Sequence, residues 1–228
     1  MSKILLTGVR GNFGSACASQ LLELCPPENL VFTSSSAEGL DAYTRTGVET
    51  RIADFNDPDG LLHAFSGADT AILISVPFVG PRRRAAHKAA VDAAVSAGVD
   101  KIVYTSSAGA GSEGIDAYEI NDHVWTERYI RDQPVHYLFM RNSQYVEAMV
   151  ASYLHAFEHD GGALANNMGE GRMAFIARDD CARACVCRGF ELVRSRGLRE
   201  RARAADHLRA PRNRLRRDRQ ASDLSLQR

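Results

Sequence analysis

Thr7-Gly8-Val9-Arg10-Gly11-Asn12-Phe13-Gly14 follows the short apolar run Ile4-Leu5-Leu6 and opens a segment with helical periodicity. In a strand-to-helix turn, Gly8 permits the tight bend, Gly11 admits a pyrophosphate to the backbone, and Gly14 allows close packing of helix against strand. The free N–H groups and positive dipole at the start of the helix favour phosphate. The stretch therefore predicts an NAD(P)(H) site with contributions from Thr7, Gly8, Arg10, Gly11, Asn12, Phe13 and Gly14.

Strand-like and helix-like runs alternate along the chain beyond this turn. Strands are predicted at residues 4–7, 30–33, 48–52, 70–75, 101–105 and 136–140. Helices are predicted at residues 12–24, 82–97 and 118–132, with a short one starting at Asp57-Pro58. The first presents Phe13, Cys17, Leu21 and Leu24, and the short one presents Leu61, Leu62 and Phe65. This alternation predicts an α/β fold, a doubly wound parallel sheet of the Rossmann type.

Polar residues follow three of the predicted strands, at Thr7, Ser75 and Thr105-Ser106. In a doubly wound sheet the ligand crevice lies at the carboxyl ends of the strands. We therefore expect Ser75, the adjoining Val76, Thr105 and Ser106 to line the cofactor site.

The end of the second strand bears on the choice of dinucleotide. An acid that binds the ribose of NAD is expected there, but the sequence reads Thr33-Ser34-Ser35-Ser36. Ser34 and Ser35 offer hydroxyls to a 2′-phosphate, and Arg10 offers a guanidinium, although a solvated loop position is the alternative for Arg10. These residues favour NADP(H), with NAD(H) left open. Asp54, after the third strand, is expected to meet the adenine ring.

Several stretches resemble the NmrA-like, atypical short-chain dehydrogenase/reductase family over about residues 1–186. They are the spaced glycines, Ala53-Asp54-Phe55-Asn56-Asp57-Pro58, Leu73-Ile74-Ser75, residues 97–106, Asp122-His123, Thr126-Glu127 and Met140-Arg141-Asn142. Within the family, the chain looks most similar to bacterial quinone, triphenylmethane-dye and azo-dye reductases. The resemblance implies hydride transfer from NAD(P)H to a conjugated small-molecule aromatic acceptor, without flavin or metal.

The chain departs from ordinary short-chain dehydrogenases at their Tyr-x-x-x-Lys dyad. Tyr118 is followed four residues later by Asp122, and neither Tyr104 nor Tyr129 is followed by Lys at that spacing. Proton donation to a carbonyl by that dyad is therefore not expected. A conjugated acceptor needs less help, so a reductase remains compatible with the sequence. A non-catalytic, NAD(P)-sensing regulatory protein of the NmrA type is the alternative.

The candidate catalytic residues near the nicotinamide are His123, Asn142 and Tyr145. His123 is the best proton donor by its ordinary pKa. Each candidate has a structural alternative: a partner-bonded or surface helix position for His123, an N-cap of a helix at residues 143–158 for Asn142, and simple packing for Tyr145. Glu127 and Arg128 are expected to form a surface pair, and Arg82-Arg83-Arg84 a solvated helix face.

Bulk composition predicts a soluble globular protein in the cytoplasm. Hydrophobic residues make up 45% and charged residues 25% of the chain, and no run approaches the ~20 apolar residues of a membrane span. The N-terminus has no signal-peptide pattern. Cys181, Cys185 and Cys187 cluster without a nearby His, so we predict no metal site.

Charge divides the chain unevenly. Residues 188–228 contain 13 Arg, no Lys and five acids, which leaves residues 1–187 with a net charge of −8. The acidic body argues against a nucleic-acid partner. We expect a Rossmann domain at 1–160, the start of a small C-terminal substrate-capping subdomain at 161–187, and a disordered basic tail at 188–228 that leaves this subdomain incomplete.

The tail resembles another reading frame of GC-rich DNA. Reading the codons of residues 212–224 one nucleotide later permits Glu-Ile-Ala-Ser-Ala-Val-Thr-Gly-Lys-Pro-Val-Thr-Tyr, which resembles the family's later sequence. We hypothesise a frameshift between about Ala184 and Arg199. A natural basic tail that binds nucleic acid or an acidic partner is the alternative.

Resequencing the DNA tests the frameshift directly, and we expect an interrupted frame between the codons of Ala184 and Arg199. An uninterrupted frame through that region would refute it. Salt-dependent nucleic-acid binding that disappears when residues 188–228 are deleted would favour the natural tail.

Overall fold

The computed structural model describes residues 2–112, 114, 116–163 and 172–187. Its main feature is a six-stranded, fully parallel sheet with strand order β3-β2-β1-β4-β5-β6. The strands are β1 Ile4–Leu6, β2 Leu30–Ser34, β3 Glu49–Ile52, β4 Thr70–Leu73, β5 Lys101–Ser107 and β6 His136–Asn142. The order reverses between β1 and β4, so the predicted doubly wound α/β fold is confirmed.

Helices connect the strands at the predicted places. They are α1 Asn12–Leu24, α2 Asp41–Thr44, α3 Pro58–Phe65, α4 Pro81–Ser96, α5 Tyr118–Arg131 and α6 Val146–His159, with 3-10 turns at Pro27–Asn29 and Ala108–Gly111. Asp57 caps α3 as expected, since its side chain accepts a hydrogen bond from the Gly60 amide. No helix in the described part of the chain is both long and apolar enough to cross a bilayer.

The four central strands, β1, β2, β4 and β5, are buried on both faces because most of their successive residues are apolar, whereas the edge strands β3 and β6 are partly exposed. Leu5, Val31 and Ile102 pack with α3 and α4, whereas Leu6 and Phe32 pack with α1. Side chains alternate across a strand, so a continuous apolar run fills two helical layers at once.

Two predicted core leucines are exposed. Leu24 is 44% exposed because α1 ends there and the following Cys25 is buried instead. Leu62 is 47% exposed because α3 buries Leu61 and Phe65, which are one turn apart, and residue 62 is about 100° away around the helix.

A second, two-stranded sheet pairs β7, Gln144–Tyr145, with β8, Phe175–Ile176. The helical residues 178–187 then bury Cys181, Cys185 and Val186 in the same core cluster as Cys17 of α1. A domain division at residue 160 stays a prediction. The predicted basic tail, 188–228, lies outside the described residues.

Candidate functional site

The glycine turn has a geometry that side chains would obstruct. Gly8 has φ +66°, a conformation that favours glycine. A Cβ on Gly14 would lie 2.0 Å from the Gly8 carbonyl oxygen, far inside contact distance. Gly11 is the N-cap of α1, with φ −74°, and its amide donates to the Gly8 carbonyl at 3.0 Å. The turn therefore brings α1 against β1 so closely that position 14 requires glycine.

The start of α1 fits a pyrophosphate. No side chain caps the helix and its own first turn contains no acidic residue, so no capping group occupies its N-terminal amides, although Asp179 lines the same surface as Asn12 and Ser15. Asn12 is exposed and Phe13 is buried on the core side. This is the arrangement in which a helix N-terminus binds phosphate through backbone donors.

An acid that the sequence analysis missed lies beyond the end of β2. Arg10 donates to the Ser36 hydroxyl at 2.7 Å and to a Glu38 carboxylate oxygen at 2.6 Å. Ser34 is buried and Ser35 exposed. Arg10 is therefore already paired with Glu38 on the β2 side of the turn. Glu38 lies four residues beyond Ser34, the last residue of β2, and not at the strand end itself.

The Asp54 carboxylate organises its own loop. It accepts hydrogen bonds from two groups of Asn56, the backbone amide at 2.9 Å and the side-chain amide at 2.7 Å. Contact of Asp54 with adenine stays a prediction.

The polar strand ends converge, and their hydroxyls hold the ends together. Thr7 donates to the Ile72 carbonyl at 3.2 Å and accepts from the Ile74 amide at 2.9 Å. Thr105 accepts from the Ser75 amide at 2.8 Å. Thr7 and Thr105 are buried, so they shape the crevice floor by fixing β4 between β1 and β5.

A buried cluster behind these ends determines the tautomers of two histidines. The Val76 amide donates to His87 Nε2 at 3.2 Å, so the proton of neutral His87 lies on Nδ1, 2.9 Å from the Thr126 hydroxyl. Tyr104 then cannot donate to His87 and donates to His123 Nδ1 at 2.8 Å. The hydrogen of His123 is thereby assigned to Nε2, for which the described residues offer no hydrogen-bond partner.

Burial lowers the pKa of both histidines. It lowers the pKa of His123 to about 4 and that of His87 to about 3, with the nearby Arg83 guanidinium acting in the same direction. The expectation that His123 has an ordinary pKa is therefore wrong, because the ring lies on the buried side of α5, against Tyr104 of β5. His123 is neutral at pH 7 and offers a hydrogen bond rather than a cationic acid.

We expect the free energy of unfolding to fall as pH decreases from 6.5 to 4. In this range His87 and His123 are protonated in the unfolded chain but remain neutral in the folded one. The free energy of unfolding therefore falls by about 2 kcal/mol per pH unit near pH 5. Urea titrations at pH 7, 6 and 5 measure this slope, and His123→Asn should reduce it by about half. An unchanged slope in His123→Asn would contradict the depressed pKa of His123.

The expectation of a solvated helix face at 82–84 is wrong for two of its three residues. Arg83 is buried and donates twice to the Val76 carbonyl, while its Nη1 finds no partner among the described residues. Arg84 donates to the buried Asp122 carboxylate at 2.6 Å, and Asp122 also accepts from the Gly80 amide at 2.5 Å. These arginines point inward because α5 presents Asp122 to the start of α4.

The expected surface pair of Glu127 and Arg128 is also wrong. Glu127 is buried, accepts from Ser106 at 2.7 Å, and pairs with Arg141 at 2.7 and 2.9 Å. Burial raises the pKa of Glu127, but the hydrogen bonds from Arg141 and Ser106 outweigh burial and the pKa is lowered. Glu127 therefore joins the ends of β5 and β6 as a carboxylate.

Asn142 and Tyr145 come together beside the glycine turn. Asn142 ends β6, and its side-chain amide donates to the Tyr145 hydroxyl at 3.0 Å. The N-cap alternative for Asn142 is wrong, because α6 begins at Val146 with Tyr145 as its N-cap. The Tyr145 ring stacks on Phe13 at 5.9 Å between centroids, and burial raises the pKa of Tyr145 to about 12. Within the described part of the chain, no hydrogen bond or ring contact joins Asn142 or Tyr145 to His123.

The residues that sequence reasoning missed are Arg83, His87, Tyr104, Asp122 and Glu38. A signal was present for three of them, Arg83, His87 and Asp122. Arg83 and His87 are one turn apart, and polar residues recur on α5 at 122, 123, 126 and 127, which places them on one helical face. In the part of the chain that the structure describes, no three His, Cys, Asp or Glu side chains are grouped as metal ligands.

Comparisons with known proteins find relatives that agree with one another. The sequence profile of the family described as NAD(P)H-binding matches residues 8–187. The chain is 31% identical over 183 residues to quinone oxidoreductase 2 of Escherichia coli, covering 80% of this chain and 62% of that protein. It is 26% identical over 199 residues to an NmrA-like family domain-containing oxidoreductase of Aspergillus flavus, covering 83% and 63%.

A solved structure agrees with these sequence relatives. Triphenylmethane reductase of Citrobacter sp., in complex with NADP(H), superposes with a TM-score of 0.73 at 30% identity, covering 81% of this chain and 64% of that one. The chain thus spans less than two thirds of the length of these relatives.

Proposed function

This chain belongs to the NAD(P)H-binding family, and on that premise we propose that it is an NAD(P)H-dependent reductase of a conjugated small-molecule acceptor. The acceptor class is a quinone or an azo or triarylmethane dye. The observation that carries the proposal is the glycine turn, which leads into a helix start without a capping side chain. The similarity to a quinone oxidoreductase and to a triphenylmethane reductase supports the acceptor class.

The cofactor we propose is NADP(H), with NAD(H) as the weaker ligand. The first-turn amides of α1 would bind the pyrophosphate, and Arg10 with Ser36 would bind a 2′-phosphate on the β2 side. Ser75, Val76, Thr105 and Ser106 would line the nicotinamide end. The Val76 amide and carbonyl are both engaged inside the protein, so Val76 would contribute its side chain.

When bound, the nicotinamide supplies a hydride from its C4 position directly to the acceptor, without flavin or metal. The chain's contribution is placement, because reaction depends on the distance and angle between the two reacting carbons. The Tyr145 ring, stacked on Phe13 and fixed by Asn142, offers an aromatic surface for the acceptor. Water would supply the proton that a reduced quinone or azo compound takes up afterwards, whereas a cationic triarylmethane dye is neutralised by the hydride itself and takes up no proton.

His123 would donate a hydrogen bond from Nε2 to an oxygen or nitrogen of the acceptor. Tyr104 keeps that hydrogen on Nε2 by donating to Nδ1. In a quinone or azo acceptor negative charge grows on the heteroatom as hydride arrives, so a fixed donor stabilises that transition state. Because His123 stays neutral above its pKa of about 4, this donor persists through neutral and alkaline pH.

The test is a panel of quinones and azo and triarylmethane dyes mixed with NADPH and the full chain. We expect NADPH oxidation with at least one acceptor, and His123→Leu should lower kcat by about 10-fold to 100-fold through loss of the donor. Tight NADP⁺ binding without turnover of any acceptor would overturn the reductase and leave the NAD(P)-sensing regulator.

A pH profile separates the two possible roles of His123. A neutral hydrogen-bond donor predicts a kcat that is flat between pH 5.5 and 8, since the pKa of His123 is about 4. A fall in kcat centred near pH 6.5 that disappears in His123→Gln would show that His123 acts as a cationic acid instead.

A further inference from the structure

The pairing of Arg10 with Glu38 is the one charged contact between the glycine turn and the loop after β2 that the structure describes. Arg10 reaches across with Nη1 on the Ser36 hydroxyl and Nη2 on the Glu38 carboxylate. Its side-chain stem lies against Gly39, where a Cβ would be 3.6 Å from Arg10 Cγ. The guanidinium is therefore held at the end of β2 and does not extend freely into solvent.

This location is where the two dinucleotides differ. A dinucleotide whose pyrophosphate binds at the start of α1 directs its adenosine ribose towards the end of β2. NADPH carries a phosphate on the 2′-oxygen of that ribose and NADH carries a hydroxyl. Arg10 can bind that phosphate bidentately through its two terminal nitrogens, and in that geometry the phosphate competes with Glu38, which accepts from Nη2 at 2.6 Å.

We propose that Glu38 sets the dinucleotide preference by competing with the 2′-phosphate for Arg10. With NADPH, Arg10 must leave Glu38, and the carboxylate then faces the phosphate. With NADH, the Arg10–Glu38 pair stays intact, and the carboxylate is available to accept from a ribose hydroxyl. The inference rests on the proposed dinucleotide site and does not depend on reductase activity.

The contact is suited to such an exchange because both side chains reach water. The side chains of Arg10 and Glu38 are 39% and 77% exposed. An exposed ion pair is weak, so a phosphate can displace it at a moderate loss of affinity. The expected consequence is a narrow preference for NADPH, in a chain that still binds NADH.

Equilibrium titration of the full chain with NADPH and with NADH tests the proposal. Removing the competing charge in Glu38→Gln should tighten NADPH about fivefold and leave NADH within about twofold. Arg10→Gln should weaken NADPH by about 10-fold to 100-fold, because a charge-assisted contact to phosphate is lost. In the Arg10→Gln background, Glu38→Gln should change NADPH affinity by no more than about twofold, since there is no guanidinium to compete for.

Glu23→Gln is the matched control, since it removes one negative charge at an exposed position near the far end of α1. It should leave both affinities unchanged. Equal tightening of both dinucleotides by Glu38→Gln, or an unaltered NADPH affinity, would overturn the inference alone. Failure of the wild-type chain to bind either dinucleotide would overturn the dinucleotide site and this inference with it.

Discussion

Replacing Gly14 by alanine is expected to abolish dinucleotide binding and to destabilise the fold. The new Cβ would lie 2.0 Å from the Gly8 carbonyl oxygen and 2.9 Å from the Val9 Cα, so α1 must move away from β1. Such overpacking against backbone costs about 3 kcal/mol of unfolding free energy. The displaced amides no longer point at the pyrophosphate, and NADPH affinity should fall by at least about 100-fold. Urea unfolding and NADPH titration measure the two effects.

Gly11→Ala separates binding from folding. At φ −74° alanine is unstrained, and its Cβ would be 3.4 Å from the Gly8 carbonyl oxygen, an ordinary contact. Stability should stay within about 1 kcal/mol of wild type. The methyl group projects where the pyrophosphate must approach, so binding should still fall by at least about 10-fold. Ser19→Ala, on the exposed side of α1, should change neither quantity. Undiminished NADPH binding by Gly11→Ala would place the dinucleotide elsewhere.

Glu127→Gln is expected to cause the largest loss of stability among the polar substitutions at the site. The Glu127 side chain is 2% exposed and accepts hydrogen bonds from the Ser106 hydroxyl and from Nε and Nη2 of Arg141 in a bidentate contact. Glutamine accepts with one oxygen only and carries no charge, so it leaves Arg141 uncompensated in a partly buried position. Breaking such a pair from one side costs about 3 kcal/mol.

Arg131→Gln provides the comparison for Glu127. Arg131 contacts the same carboxylate at 3.2 Å, one helical turn away, but is 42% exposed. Its loss should cost no more than about 0.5 kcal/mol, as for other exposed pairs on a helix. Equal, small losses in both variants would contradict the view that Glu127 joins β5 to β6.

The fold could be predicted from local pattern because each element is specified within a few residues. The apolar run Ile4–Leu6 and the glycines after it define a strand, a turn and a helix without reference to the rest of the chain. The errors at Leu24 and Leu62 arose where a helix end and a rotation of about 100° decide exposure. The exposure of these two leucines depends on where the sheet ends beneath each helix, and the periodicity of the sequence does not give that position.

The candidate site was predictable only where its residues adjoin strand ends. Thr7 and Thr105 follow from topology, since parallel strands end at one edge. The pairing of Tyr104 with His123 and of Glu127 with Arg141 depends on how α5 lies on β5 and β6. These long-range contacts determine the pKa and tautomer of His123. The ordinary pKa of a histidine side chain, which is all that the sequence offers, therefore predicted the wrong protonation state.

Hydride transfer from NADPH deuterated at C4 of the nicotinamide tests the central claim most directly. With a triarylmethane dye that turns over, the account predicts that deuterium appears on the central carbon of the reduced dye, with a slower rate from the labelled position in single-turnover experiments, and that Gly11→Ala slows this transfer at limiting NADPH. With a quinone or azo dye, whose O–H and N–H hydrogens exchange with water, the slower rate from the labelled position is the readout. The label is read by mass spectrometry or by NMR when it sits on carbon. NADP⁺ binding without transfer of hydride to any quinone or dye would contradict the account.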